Sequence, residues 1–159
     1  MKKIFCKIPN VCPHLEYCTP AWSPHYVKDK ELLEKVQHRF ARLFGHLRSM
    51  KYESRLDKLG LWSLGERRNR ADLVEVFNIC RGMTAIPLDK FFDITGDRRI
   101  RRHTYKLKSK FCGSSINYHF FSQRVITRWN ALPAEVVGAT SVDGFKKQVS
   151  AMRDMKMGL

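Results

Sequence analysis

Tyr118-His119-Phe120-Phe121-Ser122-Gln123-Arg124-Val125-Ile126-Thr127-Arg128-Trp129-Asn130-Ala131-Leu132 is the stretch that decides how this chain folds. Phe121, Val125, Trp129 and Leu132 recur at i, i+4, i+8 and i+11, the spacing that sets side chains on one face of an α-helix. Four large apolar groups on one stripe need a core to cover them, so the stretch predicts a helix packed inside a helical domain. Core is the commoner use of such a stripe; a base-stacking platform is the second. Ser115 or Asn117 is placed to cap this helix. Pro133 ends it, because proline disfavours the helical conformation at the residue before it.

Immediately upstream the chain turns strongly cationic. Between Asp97 and Glu135 there is no acidic residue, and Lys and Arg occur nine times. Arg98-Arg99-Ile100-Arg101-Arg102-His103 leads into Thr104-Tyr105-Lys106-Leu107-Lys108-Ser109-Lys110, where polar and apolar residues alternate. That alternation predicts a short β-strand or an extended arm, with Tyr105 and Leu107 on one face and Lys106, Lys108 and Lys110 on the other. A comb of lysines can lie along a phosphate backbone, or simply protect a strand edge from aggregation.

The rest of the chain reads as helices. From Asp29, a candidate N-cap, Leu32, Leu33, Val36, Phe40, Leu43, Phe44 and Leu47 form an apolar stripe expected to be buried. Lys28, Lys35, Arg39, Arg42 and His46 form a cationic stripe about 100° around the same helix. A short helix from Tyr52 to Leu59 stops at Gly60. Ser63-Leu64-Gly65-Glu66 is a capping box that opens a helix ending at Gly82, with Leu64, Ala71, Val74, Phe77 and Ile79 or Cys80 facing inward. Arg67, Arg68 and Arg70 crowd its positive end. They are disfavoured there unless an anion is near, or they are plain solubilising arginines. Pro87 starts a helical turn with Phe91 and Phe92 tucked inward, and Thr95-Gly96-Asp97 is a turn. Ser141 caps a last helix with Val142, Phe145, Val149 and Met152 inward. The expected fold class is mainly α: five to six helices with one basic extended arm or short β-hairpin.

Composition sets the function class. Hydrophobic residues make up 43% of the chain and aromatics 11%, as in a globular protein. Thirty Lys and Arg stand against fifteen Asp and Glu, a net charge of +15 that repels itself unless a polyanion answers it. The five cysteines are odd in number and contain no C-x-x-C pair, which suits reduced thiols in an intracellular protein. Proline and polar residues break any apolar run near Met1, and no stretch approaches a membrane span, so no membrane partner is expected. There is no G-x-S-x-G, no Gly-rich phosphate loop and no H-E-x-x-H. Cys12, His14, Cys18 and His25 match no common zinc spacing, and Asp89, Asp93 and Asp97 read as a solvated loop. No catalytic residue, metal or cofactor is assigned.

Pro13-His14-Leu15-Glu16-Tyr17-Cys18, Ala21-Trp22-Ser23-Pro24 and Leu33-Glu34-Lys35-Val36-Gln37-His38-Arg39-Phe40 together resemble the region just after the palm of non-LTR retrotransposon (jockey/CR1-like) reverse transcriptases. Tyr52-Glu53-Ser54-Arg55-Leu56, Leu59-Gly60-Leu61-Trp62-Ser63-Leu64, Glu66-Arg67-Arg68, Phe120-Phe121-Ser122-Gln123-Arg124-Val125, Trp129-Asn130-Ala131-Leu132-Pro133 and Phe145-Lys146 resemble the same proteins' C-terminal segment, in order. The resemblance implies an RNA-directed DNA polymerase family. The aspartate pair of a Tyr/Phe-x-Asp-Asp turn, which holds the metals of that reaction, is not in this chain. What is left resembles a thumb-like helical segment, 1–50, and a C-terminal helical domain, 51–159, with a basic arm at 98–110. In that family the stripe through Lys35, Arg39 and Arg42 would face the template–primer duplex.

The expected function is therefore non-catalytic binding of RNA or an RNA–DNA duplex. Lys35, Arg39, Arg42, Arg67, Arg68, Arg98, Arg99, Arg101, Arg102, Lys106, Lys108, Lys110, Arg124 and Arg128 are the candidate contacts. A protein-interaction module that packs on a polymerase palm is the alternative, and a decayed relic without activity a third reading.

Overall fold

In the computed structural model, which describes residues 15–95, 103, 105–109 and 113–152, the chain is mainly helical with one two-stranded antiparallel ribbon. It forms two units, Met1–Asn69 and Arg70–Leu159. Within the first unit, residues 51–64 are tied back to the first long helix, as follows.

That helix, α1, is Val27–Ala41. Its N-cap is Tyr26, in extended conformation and without a side-chain cap, and Asp29 sits inside the first turn. There its carboxylate favours the positive end of the helix dipole without capping it. A 3₁₀ turn, Gly45–Leu47, buries Leu47. Helix α2, Tyr52–Leu59, stops at Gly60, whose φ of 65° is the left-handed conformation glycine adopts at least cost. Leu61 N–H then donates to Leu56 O (2.8 Å) and Gly60 N–H to Asp57 O (3.0 Å), closing the orphan carbonyls in a Schellman arrangement.

The inward face of α1 is only partly the expected stripe. Gln37 and Ala41 are buried and Leu33 and Phe40 half-buried beside them, while Leu32 is 51% exposed, Val36 38% and, past the helix end, Leu43 77%. Polar anchors set this rotation. Gln37 Nε2 donates to Trp62 O (2.8 Å), and Glu34 accepts from the Tyr52 hydroxyl and from Leu64 N–H (3.0 Å). Glu34 thereby answers the unpaired N–H groups at the start of the next helix, where a carboxylate is stabilised.

Helix α3, Leu64–Cys80, opens with the predicted capping box. Glu66 N–H donates to Ser63 Oγ (3.2 Å), and Ser63 N–H returns the bond to Glu66 Oε2 (2.9 Å). It ends at Gly82 (φ 65°), with Met83 N–H on Asn78 O (2.9 Å).

In the second unit α3 buries Leu73, Val76, Phe77 and Ile79. A short turn of helix, α4 (Leu88–Phe91), follows Pro87 and tucks Phe92 inward, while Phe91 remains partly exposed. Strands β1 (Asp93–Ile94) and β2 (Leu107–Lys108) pair antiparallel, Asp93 opposite Lys108 and Ile94 opposite Leu107. The decisive stretch is helical in three pieces: α5 (Ser115–Tyr118), α6 (Phe121–Arg124) and α7 (Ile126–Ala131). Phe120 is extended (ψ 150°) and caps α6 through its carbonyl, which interrupts the single helix that the spacing predicts. From Phe121 onward the stripe is kept: Phe121, Val125, Trp129 and Leu132 are all buried. Leu132 is extended before Pro133, as proline requires. After α8 (Ala134–Val137), Ser141 Oγ caps α9 (Val142–Ala151) by accepting from Gly144 N–H at 3.0 Å. Phe145 of α9 stacks on Phe77 with ring centroids 4.4 Å apart, and Trp129 lies 6.1 Å from Phe145. This aromatic cluster is the centre of the unit's core.

Candidate nucleic-acid interface

The cations of the first unit divide into two groups. Lys28, Lys35, Arg39 and Arg42 are exposed along one face of α1. Their spacing puts consecutive charges one or two helical turns apart, and the anchors at Glu34 and Gln37 hold the opposite face. Arg67 and Arg68, by contrast, face the protein. Arg67 pairs with Glu16. Arg68 is buried, lies 4.2 Å over the Trp22 ring and donates from Nη2 to Leu15 O at 2.6 Å. Arg70, in the second unit, donates to Lys146 O at 3.4 Å. The crowding of arginines at the start of α3 thus has internal partners: a carboxylate, an indole and two carbonyls.

Behind the cationic face lies a buried polar cluster. Arg55, 2% exposed, donates from Nη2 to His38 Nε2 at 3.0 Å and lies 5.8 Å from the Tyr52 ring centre. The guanidinium has no lone pair to accept with, so His38 Nε2 must be the acceptor and the ring is neutral. Burial, and then the positive charges of Arg55 and Arg42, hold the His38 pKa below its ordinary value, while Glu34 opposes them. Burial and the hydrogen bond to Glu34 push the Tyr52 hydroxyl above the usual phenol range.

In the second unit, Arg98, Arg99, Arg101, Arg102 and Lys110 lie outside the described residues. Lys108 is exposed on β2 and Lys106 half-buried, with Leu107 between them buried. Two residues of α7 fix this strand. Asn130 reads the backbone of Leu107 from both sides, Oδ1 accepting its N–H (3.0 Å) and Nδ2 donating to its carbonyl (2.8 Å). Trp129 Nε1 donates to Tyr105 O (2.7 Å), and Thr95 N–H to Lys106 O (2.8 Å). The lysines therefore stand on a strand held by side chains of the core helix.

Arg124 is not on the surface in the sense the sequence suggests. Its Nε and Nη2 donate to Asp72 Oδ2 and Oδ1, both at 2.9 Å, in a two-pronged pair whose carboxylate is 2% exposed. Arg128 is half-buried nearby. Burial lowers its basicity first, the Asp72 charge opposes that, and the Arg124 charge adds to it.

Sequence reasoning passes over Asp72, Glu34, Asn130 and Trp22. Asp72 carries a readable signal, an acidic residue among Leu73, Val76 and Phe77 on the inward side of an apolar helix, where only a paired charge is tolerated. Asn130 carries none, since its partners are backbone groups, and Trp22 carries none because its side-chain partner, Arg68, lies 46 residues away.

Among the described residues no three His, Cys, Asp or Glu side chains come together as a metal set, and no helix is long and apolar enough to cross a membrane. No family model, curated protein or solved structure matches the chain.

Proposed function

We propose that the chain is a non-catalytic nucleic-acid-binding module of the kind that follows the palm in non-LTR retrotransposon reverse transcriptases, taking RNA or an RNA–DNA duplex by its phosphates. The observation that supports this reading is the exposed row Lys35, Arg39 and Arg42 on α1, with Glu34 of the same helix turned inward. A row of cations on a rigid rod suits a regular line of phosphates and carries no base information. Arg67, Arg68 and Arg124 have internal partners and drop out of the contact set. Lys106 and Lys108 stay in it.

Fluorescence anisotropy on an RNA–DNA duplex over a salt series tests the reading. Three phosphate contacts give log K a slope on log salt of about −2.7, and each further contact adds about −0.9. Replacing Lys35, Arg39 and Arg42 together with Ala should flatten the slope by about 2.7 and weaken all sequences alike. A flat salt dependence for the wild-type chain overturns it.

Exposed Leu32, Val36 and Leu43 favour a second reading, a protein-interaction module whose apolar helix face meets a partner. It replaces the first if the chain self-associates in gel filtration, Leu32→Gln with Leu43→Gln abolishes this, and the salt slope is unchanged by losing the α1 cations.

A further inference from the structure

Trp22 stands on a turn closed by Ala21 N–H and Trp22 N–H on Cys18 O, at 2.9 and 3.2 Å. Cys18 itself takes a left-handed conformation, φ 51°, which a non-glycine residue holds only where its surroundings enforce it. The indole is held from two further directions. Its Nε1 donates to Tyr17 O at 2.7 Å, and the Arg68 guanidinium lies 4.2 Å over one face. Arg68 is in turn buried and bonded to Leu15 O, so that backing is fixed. Yet Trp22 as a residue is 41% exposed, and Tyr17, whose carbonyl it bonds, is 76% exposed.

We infer that Trp22 is a stacking site for one unpaired base of single-stranded RNA or DNA, an inference that rests on the nucleic-acid reading above. With its nitrogen edge turned to Tyr17 and one face under Arg68, the residue still keeps 41% of its surface open to solvent. A base has a flat face to match, and stacking on indole or phenol rings is how single strands are held without regard to sequence. The ring needs no ordering on binding, because three contacts have already ordered it. Phosphates flanking the stacked base meet cations near at hand in the chain: Lys28 and Lys30 are exposed in the first turn of α1, which Tyr26, 65% exposed, opens. An internal base of a duplex cannot use the site, since it is covered on both faces by its neighbours.

The test measures anisotropy of labelled oligo(U) and of an RNA–DNA duplex with wild-type chain, Trp22→Leu and Trp22→Phe, each checked for folding by circular dichroism. Trp22→Leu should weaken oligo(U) binding between about 5-fold and 150-fold, the range for losing one stacked base, and leave duplex binding unchanged. Trp22→Phe keeps an aromatic face and should restore most of the loss. Because Trp22→Leu removes the cover of Arg68 and can unfold the first unit, a second measurement uses the wild-type chain alone. Oxidative footprinting of indoles by mass spectrometry should show Trp22 protected by oligo(U) and not by duplex. Oligo(U) affinity unchanged in Trp22→Leu, equal loss on both probes, or an unprotected Trp22 overturns the stacking site and leaves the phosphate reading standing. Salt-independent binding of both probes by the wild-type chain removes the phosphate reading and this inference with it.

Discussion

Replacing Asp72 with Ala strips Arg124 of the carboxylate that holds it by two bonds, and the size of the effect follows from the geometry. A solvent-exposed ion pair is worth about 0–1 kcal/mol, because water competes for both partners. Here the carboxylate is 2% exposed, the Arg124 side chain 15%, and both bonds are 2.9 Å and two-pronged. Removing one partner of such a pair leaves the other charge buried and unpaired, at about 3–5 kcal/mol. Arg124 keeps a 3.3 Å bond from Nη1 to His119 O, which a neutral carbonyl cannot turn into charge compensation. At about 2–4 °C per kcal/mol for a chain of this length, the melting midpoint should fall by about 6–20 °C. Guanidinium denaturation followed by indole fluorescence reads this directly, since Trp129 lies fully buried in the same core. The double variant Asp72→Leu with Arg124→Met removes both charges and should recover most of the loss, as buried pairs replaced by apolar groups generally do. A single Asp72→Ala variant within about 0.5 kcal/mol of wild type would show the pair to be solvated and the reasoning wrong.

Two further outcomes test the packing around the candidate interface. Asn130→Ala leaves Leu107 N–H and C=O buried without partners, at about 1–3 kcal/mol for each group, and amide exchange at Leu107 should accelerate before that of α9. Stability of the first unit should fall as pH drops. His38 has a folded pKa below its unfolded value near 6.5, so the unfolded chain takes up the proton first; the contribution is complete above about pH 7.5 and is lost on acidification through 6.5 toward the lower folded value. His38→Gln, which can still accept from Arg55, should flatten that part of the stability–pH curve, and an unchanged curve would mean that His38 is not the group responsible.

Several elements were legible because the physics that makes them acts within a few residues. Ser63 and Glu66 cap α3, Ser141 caps α9 and Gly60 ends α2, each by a bond or a backbone preference reaching no more than five positions along the chain. The stripe Phe121, Val125, Trp129 and Leu132 was legible for the same reason, although the break at Phe120 was not: nothing in the spacing says that Phe120 goes to solvent and Phe121 to the core. In α1 the sequence offers a leucine stripe and a polar face on one helix, and periodicity alone ranks the leucines as the inside. The helix turns partly away from that stripe because Glu34, Gln37 and His38 find Leu64, Tyr52, Trp62 and Arg55, partners 17 to 30 residues away.

A chain with thirty basic and fifteen acidic residues and this periodicity was bound to be helical and strongly cationic; those properties belong to side-chain charge and to backbone geometry, which a sequence states outright. Which cations face outward is another matter. Arg67 meets Glu16 and Arg124 meets Asp72 across 51 and 52 residues, while Lys35, Arg39 and Arg42 remain exposed to solvent. Pairing at that range depends on which helices come together, and only the folded chain decides it.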